Sequence, residues 1–325
     1  MALKLHALGA EPHIIDGLQV NNMGAFSDGV HPNSRLYMSF INERLDLLRH
    51  LGIPLHILDA RDYSLLSPRL QAIHPDVVVQ LAAVAHANRS NKDPYSTFDH
   101  SMRTLENALD SSRGFLPHFI YFSSSMVYGN FDGEAVVEDR VCDPMGIYGA
   151  LKYAGEKLVI AYNQVFGMPY TIIRPSALYG ERCVSRRVGQ AFIENAVRGQ
   201  NVTVNGDGTD QLDFTYIEDL IQGICRAIAT EKSHNQIFNI TYGSARSLNQ
   251  MADILKAHFP AVQVSHNPRD SLMPERGTLC IDKARELLGY EPAFPLEKGY
   301  VNYINWYKDL AARMPEAFAK PGTAP

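Results

Sequence analysis

Cysteine and tryptophan are scarce in this 325-residue chain, which has four of the first and one of the second. Cys142, Cys183, Cys225 and Cys280 stand far apart, with no CxxC pair and no histidine at a zinc-finger spacing. That pattern argues against a disulfide framework and against a structural metal site, and leaves reduced thiols as the expectation. Long apolar runs are also lacking. Stretches such as Val77–Ala85 fall well short of the ~20 residues needed to span a bilayer, and no signal-peptide pattern opens the chain, so a cytoplasmic protein is expected. Charge of one sign is not concentrated anywhere: 30 Lys and Arg against 35 Asp and Glu give a net charge of -5 without a long basic block. A nucleic-acid binder needs such a block to release counterions, so small-molecule partners are favoured, with no nucleic acid and no membrane. Internal repeats, low-complexity tracts and flexible linkers are missing too.

What is present suits a compact enzyme, with 46% hydrophobic and 20% charged residues, enough to bury one large core or two smaller ones. Pro12–Asp16, Pro54–Leu58, Val77–Leu81, His118–Phe122 and Tyr170–Ile173 read as buried strands. Amphipathic helices alternate with them, among them Leu36–Leu51, where Phe40, Leu45 and Leu48 recur near helical spacing, and Pro94–Leu109. This βαβα order predicts an α/β fold with a doubly wound parallel sheet, a Rossmann architecture. After Arg174 the strands shorten, and helices such as Leu248–Phe259 and Asp282–Leu288 are set among irregular segments, which predicts a smaller C-terminal α+β substrate lobe. The expected division gives 1–178 with 211–245 to dinucleotide binding and 179–210 with 246–325 to the substrate lobe.

Tyr148 and Lys152 stand at i, i+4 in a run of good helix formers and share one helix face. A free tyrosine, with a pKa near ~10, is a poor base at neutral pH, but a nearby ammonium favours the phenolate. Tyr148 then becomes a usable general base. Tyr-x3-Lys alone is a weak signal; its context is stronger. Upstream, a strand ends in Tyr121-Phe122-Ser123-Ser124-Ser125-Met126-Val127-Tyr128-Gly129. In this the chain resembles the extended short-chain dehydrogenase/reductase superfamily, and within it the NAD-dependent epimerase/dehydratase family. The resemblance continues in order through Asp59-Ala60-Arg61-Asp62, Leu81-Ala82-Ala83, Arg174-Pro175, Tyr179-Gly180, Asn205-Gly206-Asp207-Gly208, Asp213-Phe214 and Lys283–Pro292.

The resemblance implies that a strand-end serine hydroxyl hydrogen-bonds the reacting sugar oxygen. Counting back from Val-Tyr-Gly selects Ser124, the preferred residue; counting from the strand start selects Ser125. It also implies that Asp59 and Ala60 contact adenine and that Leu81, Ala82 and Ala83 line the nicotinamide side, while Tyr148 and Lys152 touch the cofactor as well. Asp16 closes its strand where an acid can bind the ribose hydroxyls, and Gly17-Leu18-Gln19 offer no arginine for a 2′-phosphate, so NAD is the expected cofactor. The glycine-rich phosphate turn should precede that acid by about 20 residues, and only fifteen precede Asp16. Leu3–Gly9 read as the last turns of a first helix. The expectation is an N-terminally truncated Rossmann domain, from a misplaced start codon or a shortened chain, and a fragment that is itself inactive.

Ser125 and Met126 occupy the two positions where 4,6-dehydratases of the family carry an acidic pair, and neither replaces a carboxyl in proton transfer. C4 oxidation and reduction of a nucleotide sugar remains, by a 4-epimerase or a 4-dehydrogenase. The family's Asn of Arg-Pro-x-Asn is Ala177 here, and its Arg before Asp-Phe is Leu212. Arg276 matches a family arginine that grips the diphosphate, and Arg186 and Arg187 follow Tyr179-Gly180, where phosphate contact and a solvated loop weigh equally. His100 and Arg103 depart from the family's Asn and Gly on the helix before the serine strand, and His86 reads as a structural histidine. The segment Asn21–Asn33 reads as a solvated loop. A lipid- or steroid-hydroxyl enzyme and a catalytically inactive NAD-binding regulator are the competing readings. A homodimer through Pro94–Leu109 and Tyr148–Val165, and a role in polysaccharide or glycoconjugate precursor synthesis, complete what the resemblance implies.

Overall fold

The computed structural model describes residues 1–84, 87–269 and 273–318. Strand β1 (Ile14–Asp16) pairs in parallel with β2 (Leu55–Ile57), Ile14 opposite Leu55. Strands β3 (Val77–Gln80), β4 (His118–Phe122) and β5 (Tyr170–Arg174) form a second parallel sheet, which the strand Gln236–Asn239 completes in the order Gln236–Asn239, β5, β4, β3. Among the described residues these are separate sheets of two and four strands.

Alternation along β4 shows why helices cover both faces. Phe119 and Tyr121 point into a cluster with Leu66, Leu70, Leu105, Leu109 and Val159, from helices Tyr63–Ile73, Thr104–Ser112 and Gly146–Phe166. Ile120 and Phe122 point the other way, into Leu220, Ile224, Leu288 and Tyr290. A central strand buried on both faces, with successive residues serving opposite layers, is the doubly wound arrangement expected. Pro94–Leu109 is not one regular helix: helix Pro94–Phe98 passes into a π turn over Asp99–Arg103 before Thr104–Ser112. His100 and Arg103, the two departures from the family pattern, lie in that turn.

A second core gathers helices Val188–Val197, Leu248–His258 and Leu296–Arg313 with the paired strands Val202–Asn205 and Val264–Asn267. The apolar face of helix Ser34–His50 (Leu36, Tyr37, Phe40, Ile41) lies in this core. The segment Asn21–Asn33 is solvated only in part: Ser27–Val30 are exposed, but Phe26 is buried edge-on against Tyr37, and Asn33 is buried. Polarity and turn residues suggested exposure, but the segment's one large aromatic decides its docking. No helix among the described residues is long and apolar enough to cross a membrane.

Candidate active site at the strand ends

The serine run leaves β4 through a short 3-10 turn over Ser125–Tyr128, and Ser124 caps it, its Oγ accepting from the Met126 amide at 3.2 Å. That leaves the Ser124 O–H to donate elsewhere. Ser123 is committed to structure, donating to Glu156. The Ser125 backbone N–H donates to the Pro175 carbonyl at 2.9 Å, while its buried hydroxyl has no partner among the described residues.

Helix Gly146–Phe166 carries Tyr148 in its first turn and Lys152 one turn later. Two glycines let it lie close. A Cβ on Gly149 would stand 2.9 Å from the Met126 carbonyl, and one on Gly155 would overlap the Tyr121 hydroxyl. Lys152 is buried; its Nζ donates to the Phe122 carbonyl at 2.6 Å and lies 5.2 Å from the Tyr121 ring centre. Burial pushes its pKa down to about 8, against an opposing pull from Glu156. Glu156 in turn takes a forked pair from Arg174, Nε to Oε1 at 2.9 Å and Nη2 to Oε2 at 2.7 Å, both side chains almost fully buried. This pair ties the Tyr148 helix to the end of β5 and, through Ser123, to the end of β4.

Ser124, Ser125, Met126 and Tyr148 form one wall of a cavity of about 580 Å³, and Arg186, Arg187 and Arg276 line it as well. Burial, and then the neighbouring Arg187, lower the Arg276 pKa to about 10. Arg276 has no ion pair with an acid among the described residues. Asp210, which also lines the cavity, acts in the opposite direction and raises the Arg276 pKa. Arg269 also reaches the cavity but is paired with Asp210 at 3.1 Å. Ala177 and Leu212, the substrate-side departures, both line it, and Ala177 holds a left-handed backbone at φ 39°.

Ser176 is the residue that sequence reasoning passed over: it lines the cavity, and its buried hydroxyl has no partner among the described residues. Its signal was its place directly after Arg174-Pro175, inside a segment already singled out.

Of the residues assigned to the cofactor, Tyr148 lines this cavity, whereas Asp16, Asp59, Ala60 and Leu81–Ala83 lie outside its lining. Asp16 ends β1, and its carboxylate accepts from the Leu18 amide at 2.7 Å and from Asn22 at 3.3 Å. Asp59 and Ala60 follow β2; Asp59 pairs with Arg61 at 2.6 Å, and hydrogen bonds from Arg61 hold its carboxyl below the ordinary range. Leu81, Ala82 and Ala83 follow β3, with Leu81 exposed and the Ala82 carbonyl accepting from Gln80 and Thr104. All these positions are carboxyl ends of parallel strands, where an open α/β sheet binds its ligands. Arginines approach this region from elsewhere in the chain: Arg44 feels the charge of Asp16, and Arg61, contributed by the next strand end, reaches Gln19 at 3.1 Å but is engaged by Asp59 and Asp99. His86 lies outside the described residues.

The model of the NAD dependent epimerase/dehydratase family matches residues 27–241. A protein of Methanocaldococcus jannaschii, provisionally assigned as a UDP-glucose 4-epimerase, is 31% identical over 260 residues, covering 77% of this chain and 83% of its own length. UDP-glucuronate 4-epimerase 1 of Arabidopsis thaliana is 29% identical over 287 residues, 81% of this chain and 66% of that protein. Among solved structures, the UDP-glucuronic acid 4-epimerase of Bacillus cereus, in complex with UDP-glucuronic acid and NAD, superposes with a TM-score of 0.80 at 26% identity. That match covers 94% of this chain and 93% of the other.

Proposed function

The chain belongs to the NAD-dependent epimerase/dehydratase family, and from that premise we propose that the cavity is the active site of a nucleotide-sugar C4 oxidoreductase, a 4-epimerase or a 4-dehydrogenase. One observation carries the reading: Ser124, Ser125 and Tyr148 share a cavity with Arg276, a cation set there without an acidic partner among the described residues. Hydroxyls suit the sugar, and guanidinium groups suit the diphosphate.

In this reading Tyr148 takes the proton of the C4 hydroxyl, and Ser124, its oxygen already accepting from Met126, donates to the sugar oxygen. Lys152 supplies positive charge one turn below Tyr148. Met126, buried on the same wall, offers no proton for eliminating water. When bound, NAD supplies the hydride acceptor. Asp16 fits the ribose hydroxyls, and Asp59, Ala60 and Leu81–Ala83 fit the ends of the dinucleotide by their place on the strand termini. The described residues provide no glycine-rich turn for its pyrophosphate.

The test is turnover of UDP-, GDP- and dTDP-sugars followed at 340 nm with products assigned by NMR. Inversion at C4 without NADH accumulation indicates an epimerase, and NADH with a released 4-keto sugar indicates a dehydrogenase. Tyr148→Phe should abolish either. Failure with every sugar by protein that binds NAD in a separate calorimetric titration, with Tyr148→Phe indistinguishable from the parent, would instead favour a non-catalytic dinucleotide-binding protein. The same reading places the protein in the cytoplasm as a homodimer through Pro94–Phe98, Thr104–Ser112 and Gly146–Phe166, where Tyr95, Phe98 and Val165 are exposed; light scattering on the purified chain tests the dimer.

A further inference from the structure

Arg186 and Arg187 are adjacent in sequence, yet the structure treats Arg186 in a particular way. Its backbone is left-handed at φ 48°, an uncommon conformation for a residue with a side chain. Its Nε donates to Glu194 Oε2 at 3.2 Å and its Nη2 to Asn195 Oδ1 at 3.2 Å. Glu194 is fully buried, which is costly for a carboxylate unless its oxygens are satisfied. They are: Asn33 at 2.9 Å and Tyr37 at 3.2 Å also donate to Oε2, while Gln190 at 2.8 Å and Tyr307 at 3.1 Å donate to Oε1.

Four of those five donors are neutral groups: Asn33 at the end of the docked segment, Tyr37 on helix Ser34–His50, Gln190 on helix Val188–Val197 and Tyr307 on helix Leu296–Arg313. A neutral acceptor would satisfy such donors as well. The feature that requires a charge is the fifth donor, Arg186, whose side chain lines the cavity. We infer that Glu194 is a positioning residue: the neutral donors lock its carboxylate, and the carboxylate fixes the Arg186 guanidinium against the cavity so that it meets the substrate's phosphates without reorganising. The segment Asn21–Asn33 thereby becomes part of the substrate site through Asn33, although it reaches the cavity only at second hand. The inference rests on the nucleotide-sugar reading of the cavity.

A double-mutant cycle on nucleoside diphosphate affinity tests it, because binding of UDP, GDP or dTDP measured calorimetrically needs neither cofactor nor turnover. Glu194→Gln should weaken binding about tenfold, and Arg186→Ala by at least as much, with the double variant no weaker than Arg186→Ala alone. Tyr37→Phe, which retains the Arg186–Glu194 contact and threatens the fold less, should give a smaller loss that likewise vanishes in the Arg186→Ala background. Additive losses in both cycles would mean that Glu194 only holds the lobe together, and would overturn the inference. If the parent chain binds none of the three diphosphates, the nucleotide-sugar reading itself falls; if it binds one and the cycles are additive, only the role of Glu194 falls. In a turnover assay Glu194→Gln should raise KM and leave kcat near the parental value.

Discussion

Replacing Lys152 with methionine should make the cofactor-free protein more stable near neutral pH while abolishing its chemistry. Lys152 is 6% exposed as a residue, and its ammonium makes one hydrogen bond among the described residues, to the Phe122 carbonyl. Burial lowers its pKa from 10.5 to about 8, so keeping it charged in the folded state costs about 3 kcal/mol. Methionine has similar length, removes that cost and forfeits the hydrogen bond, which is worth about 1.5–3 kcal/mol when a charged group takes part. The net gain at pH 7 is therefore small, between zero and about 2 kcal/mol. Its pH dependence is the sharper signature. Between pH 8 and 10.5 the unfolded chain keeps the lysine proton and the folded chain has shed it, so parental stability rises with pH across that window. The methionine variant lacks this contribution. The advantage of the variant should thus shrink by about 3 kcal/mol from pH 7 to 10.5, turning it into the less stable protein. Urea unfolding followed by circular dichroism at a series of pH values measures this directly, with Trp306, the single tryptophan, reporting the second core. A stability difference that stays constant over that range would refute the argument that Lys152 is held charged against its own burial.

Three further outcomes follow from the same structure. Glu156→Ala removes one half of a buried forked pair and should lower stability by about 3–5 kcal/mol, whereas replacing Glu156 and Arg174 together by apolar residues should recover much of that in denaturant midpoints. Ala177→Asn should stabilise by roughly 0.5–1 kcal/mol, since asparagine accepts the left-handed backbone at φ 39°, while Ala177→Val should destabilise. Burial, and then the neighbouring His234 tilted against it, lower the His118 pKa from 6.5 to about 4, so its contribution is complete above pH 6.5 and is lost as pH falls toward 4. His118→Gln should flatten that acid limb of the stability profile; an unchanged limb would show that another group sets it.

Much of the fold was legible because its signals are local. His118–Phe122 and Asp282–Leu288 were expected at the bounds found, and the other four expected strands to within two residues, since β-branched runs and capped amphipathic helices act over a few residues at a time; the short strands after Arg174 had no bounds assigned. The same locality put Tyr148 and Lys152 on one helix face, and the order of the motifs identified the family. Local signals could not place the arginines, because nothing in Arg186-Arg187 distinguishes a cavity wall from a solvated loop. Nor could polarity and turn residues show that Asn21–Asn33 docks on the second core.

Sequence by itself determined the alternation of strands and helices, the serine-ended β4 and the Tyr148–Lys152 face, each set by contacts within a turn or a strand. Tertiary structure alone decided that Asn33 and Tyr37 meet Glu194, 161 and 157 residues away, and that Glu194 meets Arg186 at the cavity. A buried carboxylate gathers its donors from whatever elements the two cores bring together, and no local propensity encodes that meeting.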